Sequence, residues 1–421
     1  MAQQQPAINL KRLIKMIEMS SSIGAIPNNG LCRLALSEED KQIREIFTNW
    51  MNEANLEVRF DDFGNIYGRR KGRSDLSPVL VGSHLDTQPN GGRFDGVLGV
   101  LTAMEAIFTL NDHGVETKRP IELVNFTNEE GARFEPPLLG SGGLAGVFDK
   151  DFVYSRQDRN GKSFEKELVR TGFLGELENR IEDIHSFIEL HIEQGPILES
   201  ERVSIGAVEG IKGMTWFELI VTGEGGHAGP TPMPLRKDAL LAATKIITKI
   251  EEKGNVYGPD LSFTVGRMAL KPNVINCIPE EVTFSLDVRH IDDAVRERFI
   301  AEIKDELQTL ATEQNVQLAI NKLWEVKTTH FHPQMIDQIA NSAMKLGYSV
   351  KRMYSGAGHD AKYISQIAPT AMIFVPSVGG KSHVESELTL DKNIEQGANV
   401  LLDSLLQLAN MDTALSHLKT T

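Results

Sequence analysis

Cysteine is nearly absent: Cys32 and Cys277 are the two thiols in 421 residues. Two thiols cannot build a disulfide framework, so the chain is expected to fold by burial alone, in a reducing compartment. No apolar run approaches the ~18 residues that span a membrane. The segment MAQQQPAINLKRLIKMIEMS has neither the apolar stretch nor the small-residue cleavage site of a signal peptide. A cytoplasmic location with no membrane partner is therefore expected. Positive charge is also in short supply, with 44 Lys and Arg against 58 Asp and Glu and a net charge of −14. Such a surface repels phosphate backbones, which argues against nucleic acid as a partner. The chain has no G-x-x-x-x-G-K-[ST], no H-E-x-x-H and no G-x-S-x-G, so the phosphate-loop, single-helix zinc protease and serine-elbow routes are closed. GAGHDA (Gly356–Ala361) formally matches G-x-G-x-x-G/A. It comes late and lacks an acidic residue at the end of the next strand, so a dinucleotide site is discounted. Neither cysteine neighbours a histidine, which leaves a thiol nucleophile unsupported.

What is present is an ordinary globular composition, 41% hydrophobic and 24% charged. One hydrophobic core rarely grows past ~250–300 residues, so two domains are expected. The spacing of Leu10, Leu13, Ile14 and Ile17 predicts a first helix. Ser37 followed by three acidic residues predicts the start of a second, facing inward through Ile43, Ile46, Phe47, Trp50, Met51 and Ala54. Strands at Leu56–Phe60, Val79–Val81 and Ile121–Phe126 enclose a helix at Leu98–Thr109. This alternation predicts a three-layer α/β domain. Between residues 213 and 327 the pattern changes. It reads as strand Thr215–Thr222, helix Lys237–Lys253, strands Ser262–Ala269 and Glu281–Arg289, a helix through Val295, Phe299, Ile303 and Leu310, and strand Val316–Leu323. The order β-α-β-β-α-β predicts a ferredoxin-like domain inserted into a catalytic domain made of residues 1–212 and 328–421. After it the α/β pattern returns, with a helix at Pro333–Leu346, strands at Ser349–Tyr354 and Ala371–Val375, and a last helix at Lys392–Leu408.

Four polar groups lie at the ends of apolar strands, where open α/β sheets place ligands. In VLVGSHLDTQPNGGRFDG the strand runs into His84, Asp86 and Asp95. A polar loop with a helix-capping aspartate accounts for them equally well. In IELVNFTNEEG the strand runs into Asn128, Glu129 and Glu130. An exposed turn is the simpler reading taken alone, but adjacent carboxylates also suit one group that holds a metal and another that moves protons. In FIELHIEQGPIL, Glu189, His191 and Glu193 alternate with apolar residues and so share a strand face, as on any half-solvated strand. In PSVGGKSHVESE a glycine-rich loop follows the strand and leads to His383. Together the groups offer imidazole and carboxylate without thiolate, as hydrolytic metal sites do. So acidic a cluster calls for more than one divalent ion, with a bridging carboxylate and a bridging water. The inserted segment adds His227 in GEGGHAGPTPMP, Asn273 and Asn276 in KPNVINCIPEEV, and Arg289 near Asp287. A turn or a surface ion pair would explain these; a carboxylate-binding set would too.

The motifs SHLDT, GGRFDG, NEEGARF, LHIEQGP, GHAGPTPM and SHVESE, spread from about Leu10 to Leu408, resemble the amidase, hydantoinase and carbamoylase branch of the M20 metallopeptidase superfamily. His191, where many M20 peptidases have aspartate, points to that branch. The resemblance implies two divalent ions per subunit (Zn, Mn, Co or Ni). They would be held by His84, Asp95 as the bridge, Glu130, His191 and His383, with Glu129 as general base and Asp86 orienting His84. It implies that His227 acts at the reacting carbonyl, that Asn276 and Arg289 bind substrate, and that Gln194 and the Gly358 backbone line the pocket. It also implies a homodimer formed through the inserted domain, which would close over the substrate on hinges near Gly210–Gly213 and Lys327–His330. Cys277 departs from the expected valine. The implied reaction is cleavage of the ureido C–N bond of N-carbamoyl-L-amino acids. Allantoate amidohydrolases and β-ureidopropionases share nearly the same motifs, and a catalytically silent binding protein on the same fold is the alternative outside enzymes.

Overall fold

The computed structural model describes residues 6–413 and Leu415. It divides into two compact units, one ending at Gly210 and resuming at His330, the other spanning Ile211–Thr329. The larger unit is built on a nine-stranded sheet. Its centre is four strands in the spatial order Ile121–Phe126, Val79–His84, Ser186–Ile192 and Thr370–Val375, each parallel to the next. Every residue of these four is buried, so both sheet faces are covered, as all-parallel strands require. Antiparallel strands flank them, with Ile66–Arg70 and Glu57–Phe60 on one side and Ile205–Ile211 on the other. The helix Val97–Asp112 lies against the centre and is itself almost wholly buried. Its close approach needs Gly99, where a Cβ would sit 2.3 Å from the carbonyl oxygen of Leu190.

From Val79–His84 the chain crosses to Ile121–Phe126 on one side, then returns to Ser186–Ile192 on the other. The direction of winding therefore reverses beside Val79–His84, and a crevice opens beyond the carboxyl ends of the strands at such a point. Val81 pairs with Ile188. Three residues further along each strand stand His84 and His191.

In the smaller unit, Gly213–Thr222 lies between Glu281–His290 and Gln317–Val326, antiparallel to both. With the strands that pair outside Glu281–His290, this is the antiparallel order of a split β-α-β sandwich. Asp238 and Asp292 cap its helices, Ala239–Val256 and Asp293–Glu313, by accepting bonds from main-chain amides of the first turn. Phe217, Leu219, Ala243, Ile246, Ile250, Phe284, Phe299 and Ile303 form its core. Leu240 and Ile247 are partly buried at its edge. The single strand expected over Ser262–Ala269 is two, Ser262–Thr264 and Met268–Lys271. Thr264 pairs with Asp287 and Met268 with Phe284, so four steps on one strand match three on the other. The extra residue makes a bulge around Gly266.

In the larger unit a wholly buried guanidinium ties the second helix to the loop that follows Ile121–Phe126. Arg44 donates to Asp40 at 2.7 Å, to the Gly64 carbonyl at 2.8 Å and to the Thr127 hydroxyl at 3.2 Å. Both charged side chains are 0% exposed. Removing one partner of such a pair strands the other charge, which costs about 3–5 kcal/mol. Arg44→Met should lose stability on that scale in denaturant unfolding, and Asp40→Asn in the same chain should recover part of it. Additive losses from the two changes would show that the pair is not coupled.

Candidate metal centre

Every polar group at a strand end in the larger unit comes from a different part of the chain, and most converge. His84 ends its strand, and its Nδ1 lies 2.9 Å from the main-chain carbonyl of Asp86. The Asp86 carboxylate is further from that ring, at 3.8 Å. It instead accepts from the amides of Glu129 and Glu130, both at 3.2 Å, and so holds the turn that carries both acids. His191 Nδ1 lies 2.9 Å from the carbonyl of Ile192. Main-chain carbonyls thus occupy one nitrogen of each ring and turn the other inward.

The inward nitrogens meet Asp95. Oδ1 is 3.6 Å from His84 Nε2 and 3.1 Å from His191 Nε2, while Oδ2 is 3.3 Å from His383 Nε2. His383 Nε2 is also 3.3 Å from Glu130, and Glu129 lies 3.5 Å from His84 Nε2. Candidate ligand atoms therefore fall into two groups, His84–Asp95–His191 and Asp95–Glu130–His383, with Asp95 common to both. A third group, Glu189–His191–His359, lies behind them. All but Glu130 and His383 are buried.

Crowding shows in the acidities. Burial works against the His84 imidazolium, but Glu129, Asp95 and Asp86 outweigh it and hold the pKa well above the usual histidine range. Hydrogen bonds to Asp95 and Glu130 hold His383 up to about 11. Burial pushes Glu129 well above the ordinary carboxyl range, and the carboxylates of Asp360, Glu130 and Asp95 add to it. Burial pushes Asp86 up to about 6. Protons thus supply the positive charge that divalent cations would otherwise bring, and such cations would displace them. His84 Nε2 is buried without a hydrogen-bond partner, a nitrogen pointed into the cluster that loss of its proton would free to bind a cation. That and the imidazole–carboxylate donor set fit a borderline divalent ion.

The backbone is bent to make this fit. Asn128, Gln194 and His383 have φ of 59°, 59° and 56°, in the left-handed region that non-glycine residues seldom occupy. Gly96 has φ 65°, and a Cβ there would lie 2.3 Å from the His84 ring. Gln194 Nε2 donates to Asp95 Oδ2 at 2.7 Å. A cavity of about 170 Å³ is lined by Asp95, Glu129, Glu130, His191, Gln194, Gly358 and His383. A larger surface hollow of about 440 Å³, lined by Arg59, Arg69 and Arg180, contains none of the clustered groups. Those arginines are already paired with Glu122, Asp75 and Asp62.

A family model described as peptidase family M20/M25/M40 matches residues 80–407. The chain belongs to that family. It is 40% identical over 405 residues to an N-carbamoyl-L-amino-acid amidohydrolase of Rhizobium meliloti, covering 96% of this chain and 97% of the relative. To an allantoate amidohydrolase of Escherichia coli it is 36% identical, covering 92% and 95%. Among solved structures, an amidase of the hydantoinase/carbamoylase family from Burkholderia multivorans superposes with a TM-score of 0.94 at 44% identity, covering 97% of this chain and 99% of that one. The chain is a hydrolase of C–N bonds, a metallo-amidohydrolase of the M20 carbamoylase kind.

Not every sequence candidate joins the cluster. Glu193 turns away to accept from the amides of Ile197 and Leu198, both at 2.8 Å, because the chain leaves the extended path at Gln194. Glu189 accepts from Ser83 and from the Ala361 amide. In the smaller unit, His227 pairs with Cys277 across a two-residue ladder, and the Ala228 amide donates to the Asn276 carbonyl at 3.0 Å. His227 and Asn276 are therefore neighbours, both exposed. Asn273 is exposed with φ 57°. Arg289 clasps Asp287 with Nε and Nη2 at 2.8–3.2 Å. Sequence reading overlooked two buried residues. His359 lies edge-on to His191 with ring centroids 4.5 Å apart, and Glu387 accepts from the Asp95 amide. An acid four residues after His383, in a motif already singled out, was the available sign of the second.

Gly96→Ala should drive a methyl group into the His84 ring. Divalent-ion binding by the folded variant should weaken by roughly 10–100-fold, the usual cost of disturbing what orients a ligand. Retention of wild-type affinity in a metal titration would show that the ring has room to move.

Proposed function

We propose that the chain hydrolyses the ureido C–N bond of N-carbamoyl-L-amino acids, releasing the L-amino acid, ammonia and carbon dioxide. The observation that carries the reaction is the Asp95 carboxylate, whose two oxygens face two separate donor groups, with Glu129 buried beside them. In this reading His84 and His191 would hold one ion and Glu130 and His383 the other, with Asp95 available to both. When bound, the pair would supply Lewis-acid polarisation and an acidified water near neutral pH. Glu129 takes the proton of the attacking water and returns it to the leaving nitrogen as the C–N bond breaks. Burial of Asp95, His84 and His191 keeps bulk water from competing for these contacts.

The substrate class draws its support from relatives named N-carbamoyl-L-amino-acid amidohydrolase, at 40%, 38% and 36% identity. Allantoate amidohydrolases at 35% and 36% support the second reading. Both substrate types carry a carboxylate, and Arg289, whose fork already takes a carboxylate in Asp287, is proposed to grip it, with Asn276 and His227 contacting the rest. A homodimer through the smaller unit belongs to the same proposal. Trp216 and Trp324, paired on adjacent strands and 42% and 49% exposed, support it. A cytoplasmic setting is proposed with it; among the described residues, no helix is long and apolar enough to cross a membrane.

Two measurements test this. Glu129→Gln should bind metal as the wild type does yet lose roughly 10²–10⁴-fold in kcat, the typical worth of general acid–base catalysis; near-normal turnover would remove Glu129 from the role. Across carbamoyl amino acids, carbamoyl-β-alanine and allantoate, kcat/KM should be highest for the carbamoyl-L-amino acids, and Arg289→Ala should raise KM for them. A higher kcat/KM on allantoate would transfer the assignment to that substrate.

A further inference from the structure

One buried carboxylate fastens the segment that carries His383 to the segment that carries Asp95. Glu387 is 3% exposed. Its Oε1 accepts from the amides of Phe94 at 3.0 Å and Asp95 at 3.1 Å, and its Oε2 is 2.9 Å from the Ser382 hydroxyl. The same hydroxyl lies 2.9 Å from Asp95 Oδ2, the oxygen that faces His383. Gln194 Nε2 closes the ring, 3.2 Å from Ser382 Oγ. The side chain is confined: a Cβ at Gly92 would lie 2.1 Å from Glu387 Oε1. His383 follows Ser382 directly and takes its left-handed φ of 56° there. Such a conformation persists only where the surroundings impose it, and the anchor on Ser382 is one such constraint.

The contacts are one-sided. Ser382 and Gln194 bind Oδ2 of Asp95, whereas Oδ1 faces His84 and His191. Those two rings are set independently by the carbonyls of Asp86 and Ile192. The main chain of Phe94 and Asp95 is also held by the first turn of Val97–Asp112, through the amides of Leu98 and Val97 at 2.9 and 2.6 Å. Loss of Glu387 would therefore leave Asp95 in place and release Ser382 with His383.

We propose that Glu387, acting through Ser382, is the positioning residue for the half of the centre formed by Asp95, Glu130 and His383, and that it governs whether the second cation is held. This rests on the reading of the cluster as a two-ion centre. The test strips the protein with chelator and titrates cobalt(II) alone, following visible absorption and counting bound metal after dialysis. The wild type should bind two ions per chain. Glu387→Ala should keep one at wild-type affinity and hold the other about 10–100-fold more weakly, with His383→Ala marking which absorption belongs to that half. Ser382→Ala should weaken the same ion by a smaller factor, and it decides the matter if Glu387→Ala does not fold. Two ions at wild-type affinity in the variants, or equal weakening of both in folded protein, would overturn the proposal. A wild type that binds fewer than two ions overturns the two-ion reading itself, before any variant is examined.

Discussion

Asp95 sits buried among three imidazoles that come from three distant parts of the chain, and the rest of the centre depends on where its two oxygens point. Four acids, Asp86, Asp95, Glu129 and Glu130, crowd into the same small volume. Burying charge at that density is costly unless each group is paired. The fold meets part of the cost by aiming donors at Asp86, Asp95 and Glu130. The amides of Glu129 and Glu130 donate to Asp86, Gln88 donates to Glu130, Gln194 and Ser382 bind Asp95, and Glu387 accepts from the amide of Asp95 itself. What remains uncompensated is negative charge at the centre, which divalent cations would balance.

Topology makes this possible. Four parallel strands end at one edge of the sheet, and the reversal of winding beside Val79–His84 opens space there. Matched register brings His84 and His191 to the same level. The left-handed residues Asn128, Gln194 and His383 then redirect three segments into that space. Strain of this kind gathers at the site because side-chain direction there matters more than local backbone comfort.

Much of this was legible in the sequence, and the reasons differ by residue. Apolar runs ending in His84, Glu129 and His191 announced strands that point at a site, because open α/β sheets bind ligands beyond the carboxyl ends of their strands. The βαββαβ order of the smaller unit was legible from periodicity, while its bulge at Gly266 was not, since one extra residue leaves the apolar pattern nearly unchanged. Ile66–Arg70 and Ile205–Ile211 escaped notice because their glycines and charges mask the alternation. Glu193 was placed on the wrong side because the turn at Gln194 ends the period-two rule one residue early. Asp86 was expected to orient His84 with its carboxylate, whereas its carbonyl lies closer to the ring and the carboxylate reaches the next loop. Two of the partners of Glu387, the amides of Phe94 and Asp95, are more than 290 positions away in the chain, beyond the reach of any local pattern.

The central claim is that one carboxylate serves two cations. Its most direct measurement is the number of divalent ions bound per chain by wild type and by Asp95→Asn, with folding checked by circular dichroism. The account predicts two ions for the wild type and loss of tight binding at both positions in the variant, because each group loses a ligand at once. A folded Asp95→Asn chain that keeps either ion at wild-type affinity would contradict it.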